Sequence, residues 1–204
     1  MLTEKIVSYL SKLTQEKPMF LHFDSLGLLY LGNSNESRLE AFSEMLNQIH
    51  DQGGNIIVPS FSYSFCRNEV FNIKDTPTTL GKSHDYLREK NFSKRSCNGI
   101  FSYLIFGSHP VFEKYMFNVK SDNCFGEPSL LSDIFELNGF IGSIGGVIHS
   151  TTEIHHIEKK LGVEYRFDKA FKGSVVHLNG DTITQEVTYF CRDLEFYRKT
   201  SLGS

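Results

Sequence analysis

The stretch Val175-Val176-His177-Leu178-Asn179-Gly180-Asp181-Thr182-Ile183-Thr184 holds two short alternating segments on either side of an Asn-Gly pair. Asn-Gly is the strongest short-range signal for a type I′ hairpin, because both central residues of that turn need φ > 0. The stretch therefore predicts an antiparallel hairpin. Upstream of it the apolar period is different. There, helical spacing alternates with short apolar runs, which is the pattern of an α/β protein. The two halves together predict a mixed-sheet α/β sandwich with a C-terminal antiparallel hairpin.

Working back from the hairpin, Thr152 to Leu161 reads as a helix stopped by Gly162, and Phe140 to Val147 as a Gly-rich strand. A helix opens at Pro128 or Ser129, turns Leu130, Ile134 and Leu137 inward and closes at Asn138-Gly139. A weaker helical pattern runs from about Leu80 to Lys90. Asn55 to Pro59 is a strand. Before it, a helix begins at Asn33-Ser34-Asn35-Glu36, carries Leu39, Phe42, Leu46 and Ile49 on one face and ends at Gly53-Gly54. Met19 to Phe23 reads as a buried strand running into the turn residues Asp24-Ser25-Leu26-Gly27. The first helix has Thr3 as its cap, Ile6, Val7, Leu10 and Leu13 on its apolar face, and Lys17-Pro18 as its stop. No repeat, low-complexity tract or linker interrupts this order, so residues 1–204 are read as one domain.

Composition narrows the function classes. The chain is 40% hydrophobic and 22% charged, ordinary values for a globular protein and unlike a disordered tail. Its 21 basic and 24 acidic residues give a formal net charge of -3 with no basic stripe, which argues against nucleic acid as a partner. No apolar run approaches the roughly 20 residues needed to span a membrane. Met1 to Lys5 lacks the shape of a signal peptide. Cys66, Cys97, Cys124 and Cys191 are scattered without a CxxC pair, so they are read as reduced thiols in a cytoplasmic protein.

The densest polar chemistry lies in Val147 to Glu158. With Thr152 as N-cap, His155 and Glu158 stand three residues apart on one helix. A carboxylate one turn from an imidazole holds its tautomer and readies it to take a proton near neutrality. The plain alternative is a solvated ion pair. Ile154, Ile157 and Leu161 share the side expected to face the core, with His156 turned roughly 100° from His155. A metal reading would use His149, His155 and Glu158, with His156 nearby, but the HExxH order that sets two imidazoles one turn apart is missing. Two further segments follow strand ends. Leu21 to Gly27 offers free backbone N–H groups to a phosphate, or is an ordinary turn. Gly53 to Phe65 places hydroxyls and rings in alternation after Pro59, suiting a cleft or a Phe-rich core edge.

Taken in order, these segments resemble the aminoglycoside 3-N-acetyltransferase family. The shared pattern is a strand and His-Ser-Ser-like loop (Leu21 to Gly27), a strand ending in Pro-Ser-Phe (Val58 to Tyr63), Thr76-Pro77-Thr78, and Arg95-Ser96 leading to Ser102 and Gly107. Phe125-Gly126-Glu127-Pro128-Ser129 and the Thr-x-x-His-x-x-Glu motif, Thr152 to Glu158, complete it. Asn98-Gly99 stands where many members have His-Pro or Asp-Pro, and the family usually carries more chain after the region near Arg192.

The resemblance implies transfer of an acetyl group from acetyl-CoA to a small-molecule amine on a sugar ring. It assigns the base to His155, its orientation to Glu158 and an oxyanion donor to Thr152. It implies cofactor contacts at Asp24, Ser25 and Leu26, with Ser60 and Tyr63 nearby, and acceptor contacts at Thr76, Arg95 and Asn98. The acceptor is an aminoglycoside or an amino-deoxy sugar of a polysaccharide precursor. The competing expectations are a metal-dependent hydrolase and a non-catalytic CoA-binding remnant of the family.

Overall fold

A computed structural model describes residues 2–117, 119–146 and 151–196. It has two four-stranded sheets. The first contains β1 (Met19–Phe23), β2 (Ile56–Pro59), β4 (Tyr103–Phe106) and β6 (Phe140–Ile144), in the order β4-β2-β1-β6. β1 runs parallel to both neighbours, while β4 pairs antiparallel with β2. The second sheet contains β3 (Phe71–Asn72), β5 (Ser121–Asn123), β7 (Arg166–Val176) and β8 (Thr182–Arg192), in the order β3-β7-β8-β5.

Alternation along β1 explains the layering. Met19, Leu21 and Phe23 pack with Leu39, Phe42, Leu46 and Ile49 of helix α2 (Asn35–Asp51), beside α1 (Leu2–Thr14). Phe20, one residue out of phase, joins Ile57, Tyr103 and Ile105 in a second cluster with Val175 and Val187 of the other sheet. Because side chains alternate across a strand, β1 is buried on both faces, and His22 shares the inner face with Phe20. Three further helices matter to the site: α3 (Lys82–Lys90), α5 (Leu130–Glu136) and α6 (Ile154–Lys160); a short α4 (Glu113–Met116) precedes β5.

The expected α/β fold and C-terminal hairpin are present, and the hairpin is longer than the sequence signal, pairing Arg166 with Arg192 at one end and Val176 with Thr182 at the other. Its turn is not type I′. Gly180 is left-handed (φ 87°), Asn179 is not, and Gly180 N–H bonds the His177 carbonyl at 3.0 Å while Asn179 Oδ1 accepts the Asp181 N–H. An Asx bond across a wider loop thus replaces the second positive φ. Ser34, within the expected helix entry, caps α2 through a capping box with Ser37.

Three local expectations fail. Thr3 lies inside α1 rather than capping it, and α1 stops at Thr14, whose hydroxyl turns back onto the Leu10 carbonyl. Thr152 does not cap α6; the cap position is Glu153, whose side chain is engaged elsewhere. The core-facing side of α6 is also misjudged. Ile154, Ile157 and Leu161 are exposed, and the buried residue is His156, 1% exposed, with Nδ1 2.7 Å from the Phe125 carbonyl and its ring against Phe135. The Nδ1 bond holds the ring in the core position although Nε2 is buried there without a partner. Val147 and His149, placed by the sequence in the strand and the metal reading, lie outside the described residues.

Candidate active site

A cleft of about 400 Å³ opens at the carboxyl ends of β1 and β2. Its lining includes His22, Asp24, Ser25, Pro59, His84 and Thr152. Ligands in open α/β sheets bind beyond the carboxyl ends of the strands, so its position suits a binding site. The loop after β1 is fixed by Asp24, which accepts the Gly27 N–H at 2.7 Å on one carboxylate oxygen and the Gly146 N–H at 3.0 Å on the other. Those N–H groups, Gly146 first, hold its carboxyl below the usual range. A Cβ at Gly27 would come within 2.6 Å of the Gly145 nitrogen, so only glycine lets the two loops approach this closely. Across the cleft, Ser25 Oγ meets Ser83 Oγ of α3 at 3.0 Å.

His155 stands in a separate network beside the hairpin. Its Nδ1 is 2.6 Å from Glu158 Oε2, and its Nε2 is 3.3 Å from Arg166 Nη2. A guanidinium only donates, so Nε2 is the accepting nitrogen and Nδ1–H donates to Glu158. Tyr165 donates its hydroxyl to Glu158 Oε1 at 2.8 Å, and Arg166 Nε lies 2.9 Å from Glu158 Oε2. The Phe125 ring meets the imidazole edge-on, centroids 5.2 Å apart. Burial pushes the His155 pKa down; the Glu158 bond opposes this, and Arg166 and Arg192 add to the fall. For Glu158, burial acts upward, but the bonds from His155 and Tyr165 outweigh it and the carboxyl lies below its ordinary value. The result is a neutral imidazole in one tautomer.

Among the residues singled out from sequence, the cleft gathers Asp24, Ser25 and Thr152, with Leu26 exposed beside it. His155 and Glu158 follow Thr152 in the chain, but their network is against β7. Ser60 is fully buried, and its carbonyl accepts from Arg95 and Ser102. Tyr63, left-handed at φ 55°, packs edge-on against Phe101 and Tyr189 instead of lining the cleft. The acceptor contacts expected at Thr76, Arg95 and Asn98 do not form a surface. Arg95 is buried and donates to Ser102 Oγ and to the carbonyls of Ser60, Ile73 and Thr76. Thr76 Oγ1 accepts the Asn72 N–H. Asn98 Oδ1 accepts the N–H groups of Ile100 and Phe101, and its amide donates to Asp122. A buried cation and a buried amide are used up by their neighbours, which is why these motif residues hold loops.

Sequence reasoning passed over Arg166, His84 and the pair His22–Glu153. Glu153 and His22 are 131 residues apart, so only folding reveals their 2.8 Å contact. Among the described residues, no group of three or more His, Cys, Asp or Glu side chains is arranged to hold a metal. All four cysteines are free. No helix among the described residues is long and apolar enough to cross a membrane.

The sheets and helices thus form an α/β protein with a cleft beyond the carboxyl ends of its parallel strands and an imidazole–carboxylate network on the helix that follows. Residues 23–199 match the family model for aminoglycoside 3-N-acetyltransferase, and the chain belongs to that family of N-acetyltransferases. Solved structures share the fold at low identity. The YokD protein from Bacillus subtilis is 16% identical with a TM-score of 0.63, the match covering 98% of this chain and 84% of that one. AAC-VIa bound to sisomicin is 15% identical with a TM-score of 0.65, covering 93% and 75%. AAC-IIIb in a binary complex with CoASH is 15% identical with a TM-score of 0.60, over the same shares. No curated protein sequence matches the chain.

Proposed function

We propose that residues 1–204 act as one domain that transfers the acetyl group of acetyl-CoA to an amine of an aminoglycoside or amino sugar, with His155 as the base. The observation that carries this reading is the single-tautomer His155, whose accepting Nε2 is set by Glu158 and lies three residues beyond the cleft-lining Thr152. The family match supports the reaction, and the neighbours that hold sisomicin and CoASH support the two ligand classes.

An ammonium has no free pair and must lose a proton before it attacks a thioester. In this reading the acceptor nitrogen takes the place of Arg166 Nη2 at His155 Nε2, which removes the proton; such catalysis is typically worth about 10²–10⁴-fold. The amine then adds to the thioester carbonyl, and the Thr152 hydroxyl on the cleft wall donates to the oxyanion. Collapse of that intermediate breaks the C–S bond. The loop at Asp24, Ser25 and Leu26 receives the CoA arm through backbone N–H groups and the Ser25 hydroxyl, since both carboxylate oxygens of Asp24 are already bonded. Ser60 is buried just beyond the cleft-lining Pro59, and Tyr63 packs against Phe101 and Tyr189, so neither touches the CoA arm in this reading.

Calorimetry with acetyl-CoA, followed by a thiol-release screen over amino sugars and aminoglycosides, tests the reading. Binding with turnover on at least one amine is expected. The absence of both binding and thiol release would refute it, and binding without turnover on any amine leaves the non-catalytic remnant instead. Stoichiometric zinc in the purified protein would favour the hydrolase.

A further inference from the structure

Apart from His155–Glu158, an imidazole–carboxylate pair that the reaction above does not use lies at the cleft. His22 Nε2 is 2.8 Å from Glu153 Oε2. Glu153 is 1% exposed, and its other oxygen, Oε1, is buried without a hydrogen-bond partner. His22 is nearly buried, and what remains exposed of its ring lines the cleft. Glu153 projects from the cap position of α6, next to Thr152 on the cleft wall.

A buried carboxylate is costly unless its charge is balanced. Here the balancing group is His22, so the pair is electrically neutral when it holds one proton more than a carboxylate plus a neutral imidazole. The extra proton belongs to the pair, wherever it resides between the two groups. A neutral pair of this kind can give a proton to the cleft through Nδ1, whereas His155, held neutral, can take one.

We propose that His22, held by Glu153, is a catalytic acid that protonates the sulfur of CoA as it leaves. The inference rests on the acetyltransferase reading above. Collapse of the tetrahedral intermediate breaks the C–S bond, and its electron pair goes to sulfur. Sulfur takes the proton from His22 Nδ1, and Glu153 keeps its bond to Nε2. Of the two protons the ammonium nitrogen loses, the first sits on His155 and the second leaves the adduct nitrogen for solvent as the amide forms; His22 has given one to sulfur, and solvent resets both histidines after product release. The other charged and titratable groups that face His22 are His84 and Lys82 across the cleft, Asp24 on the loop after β1, and Tyr103 beside Glu153. Burial and the neighbouring His22 push His84 down to about 4, so it stays neutral while its ring stacks on Phe23 at 4.2 Å. That leaves His22 as the imidazole on this wall able to store the proton.

The test compares wild type, His22→Gln and the double variant His22→Gln/Glu153→Gln, which removes the stranded charge and preserves the fold if the single variant does not. Acetyl transfer across pH is read by thiol release, CoA affinity by calorimetry, and the His22 ring by nitrogen-labelled histidine NMR with and without CoA. The expected result is a kcat about 10²-fold lower in a folded variant, CoA affinity within about twofold, and loss of the alkaline limb of the wild-type profile. In wild type, the Nδ1 signal should be that of a protonated nitrogen and should shift when CoA binds. Unchanged kcat and limb in the folded variant would overturn the proposal, as would loss of CoA affinity with kcat retained. A wild type inactive on every amine refutes the parent reading; in that case a His22 signal that is unprotonated or indifferent to CoA refutes this one separately.

Discussion

His155 and His156 are adjacent in sequence and opposite in role, so replacing each by alanine separates chemistry from folding. His156 is 1% exposed and bonded to the Phe125 carbonyl at 2.7 Å. Its removal forfeits that bond, worth about 1 kcal/mol net. It also empties a ring-sized space against Phe135, for which large-to-small core changes suggest about 2 kcal/mol more. A loss of about 3 kcal/mol lowers Tm by about 6–12 °C in a domain of this size. The His155 side chain is a quarter exposed, and Glu158 keeps its partners Tyr165 and Arg166 without it, so His155→Ala should cost about 1 kcal/mol or less. Its kcat should fall by about 10² or more with CoA affinity nearly unchanged. Calorimetric melting and thiol release on the same preparations read both axes. Full activity in His155→Ala, or a His156→Ala protein that melts like wild type, would refute the reasoning; equal losses on both axes would mean the two rings share one structural role.

Acid should destabilise the fold through His84. Its folded pKa of about 4 lies below the ordinary histidine value, so the unfolded chain binds the proton first, and stability present above about pH 6.5 drains away as pH falls towards 4, by about 3 kcal/mol in total. His84→Gln should flatten that part of a Tm-against-pH curve, and an unchanged slope would refute the assignment. Replacing Arg166 by Gln removes a cation that holds the His155 pKa down, so the acidic limb of kcat/KM should move to higher pH; a fixed limb would show that His155 does not govern it. Arg95→Met strands the carbonyls of Ile73 and Thr76, while Ser60 keeps its bond from Ser102, and should cost about 2–3 kcal/mol, read as a lower urea midpoint at constant m. Gly99→Ala would push a methyl to 2.5 Å from the fully buried Phe65 ring and should cost about 1–3 kcal/mol, visible in the same titration.

Elements with a local cause were legible in the sequence. The β1 run, the Ser34 cap, the α3 and α5 patterns and the hairpin all follow from periodicity and turn residues within a dozen positions. The failures share a non-local cause. Period alone turned Ile154 and Ile157 inward, but the Phe125 carbonyl offered His156 a partner, and that carbonyl is 31 residues away. The family resemblance gives Arg95 and Asn98 acceptor contacts, although a motif does not say whether its side chains face a ligand or the interior. Here the bends at Ser60, Thr76 and Phe101 leave backbone groups inside, and these two side chains satisfy them. The Asn98-Gly99 departure has a packing reason as well: Gly99 and Gly173 lie against the Phe65 ring, where any Cβ would collide.

The turn before α6 serves three parts of the molecule at once. Thr152 lines the cleft, Glu153 points into the interior at His22, and His155 reaches Arg166 at the foot of β7. Near a helix start, successive residues rotate by about 100°, so four positions suffice to serve three directions. The inward direction is open to Glu153 because His22 falls on the inner face of β1, in phase with Phe20 and out of phase with Phe23. A one-residue slip of β1 would turn His22 to the α2 side and leave the Glu153 carboxylate buried without its partner. The register that pairs His22 with Ser143 and Phe23 with Ile144 therefore does two things at once: it closes the core on both faces of the sheet and puts the buried carboxylate and its imidazole at the cleft.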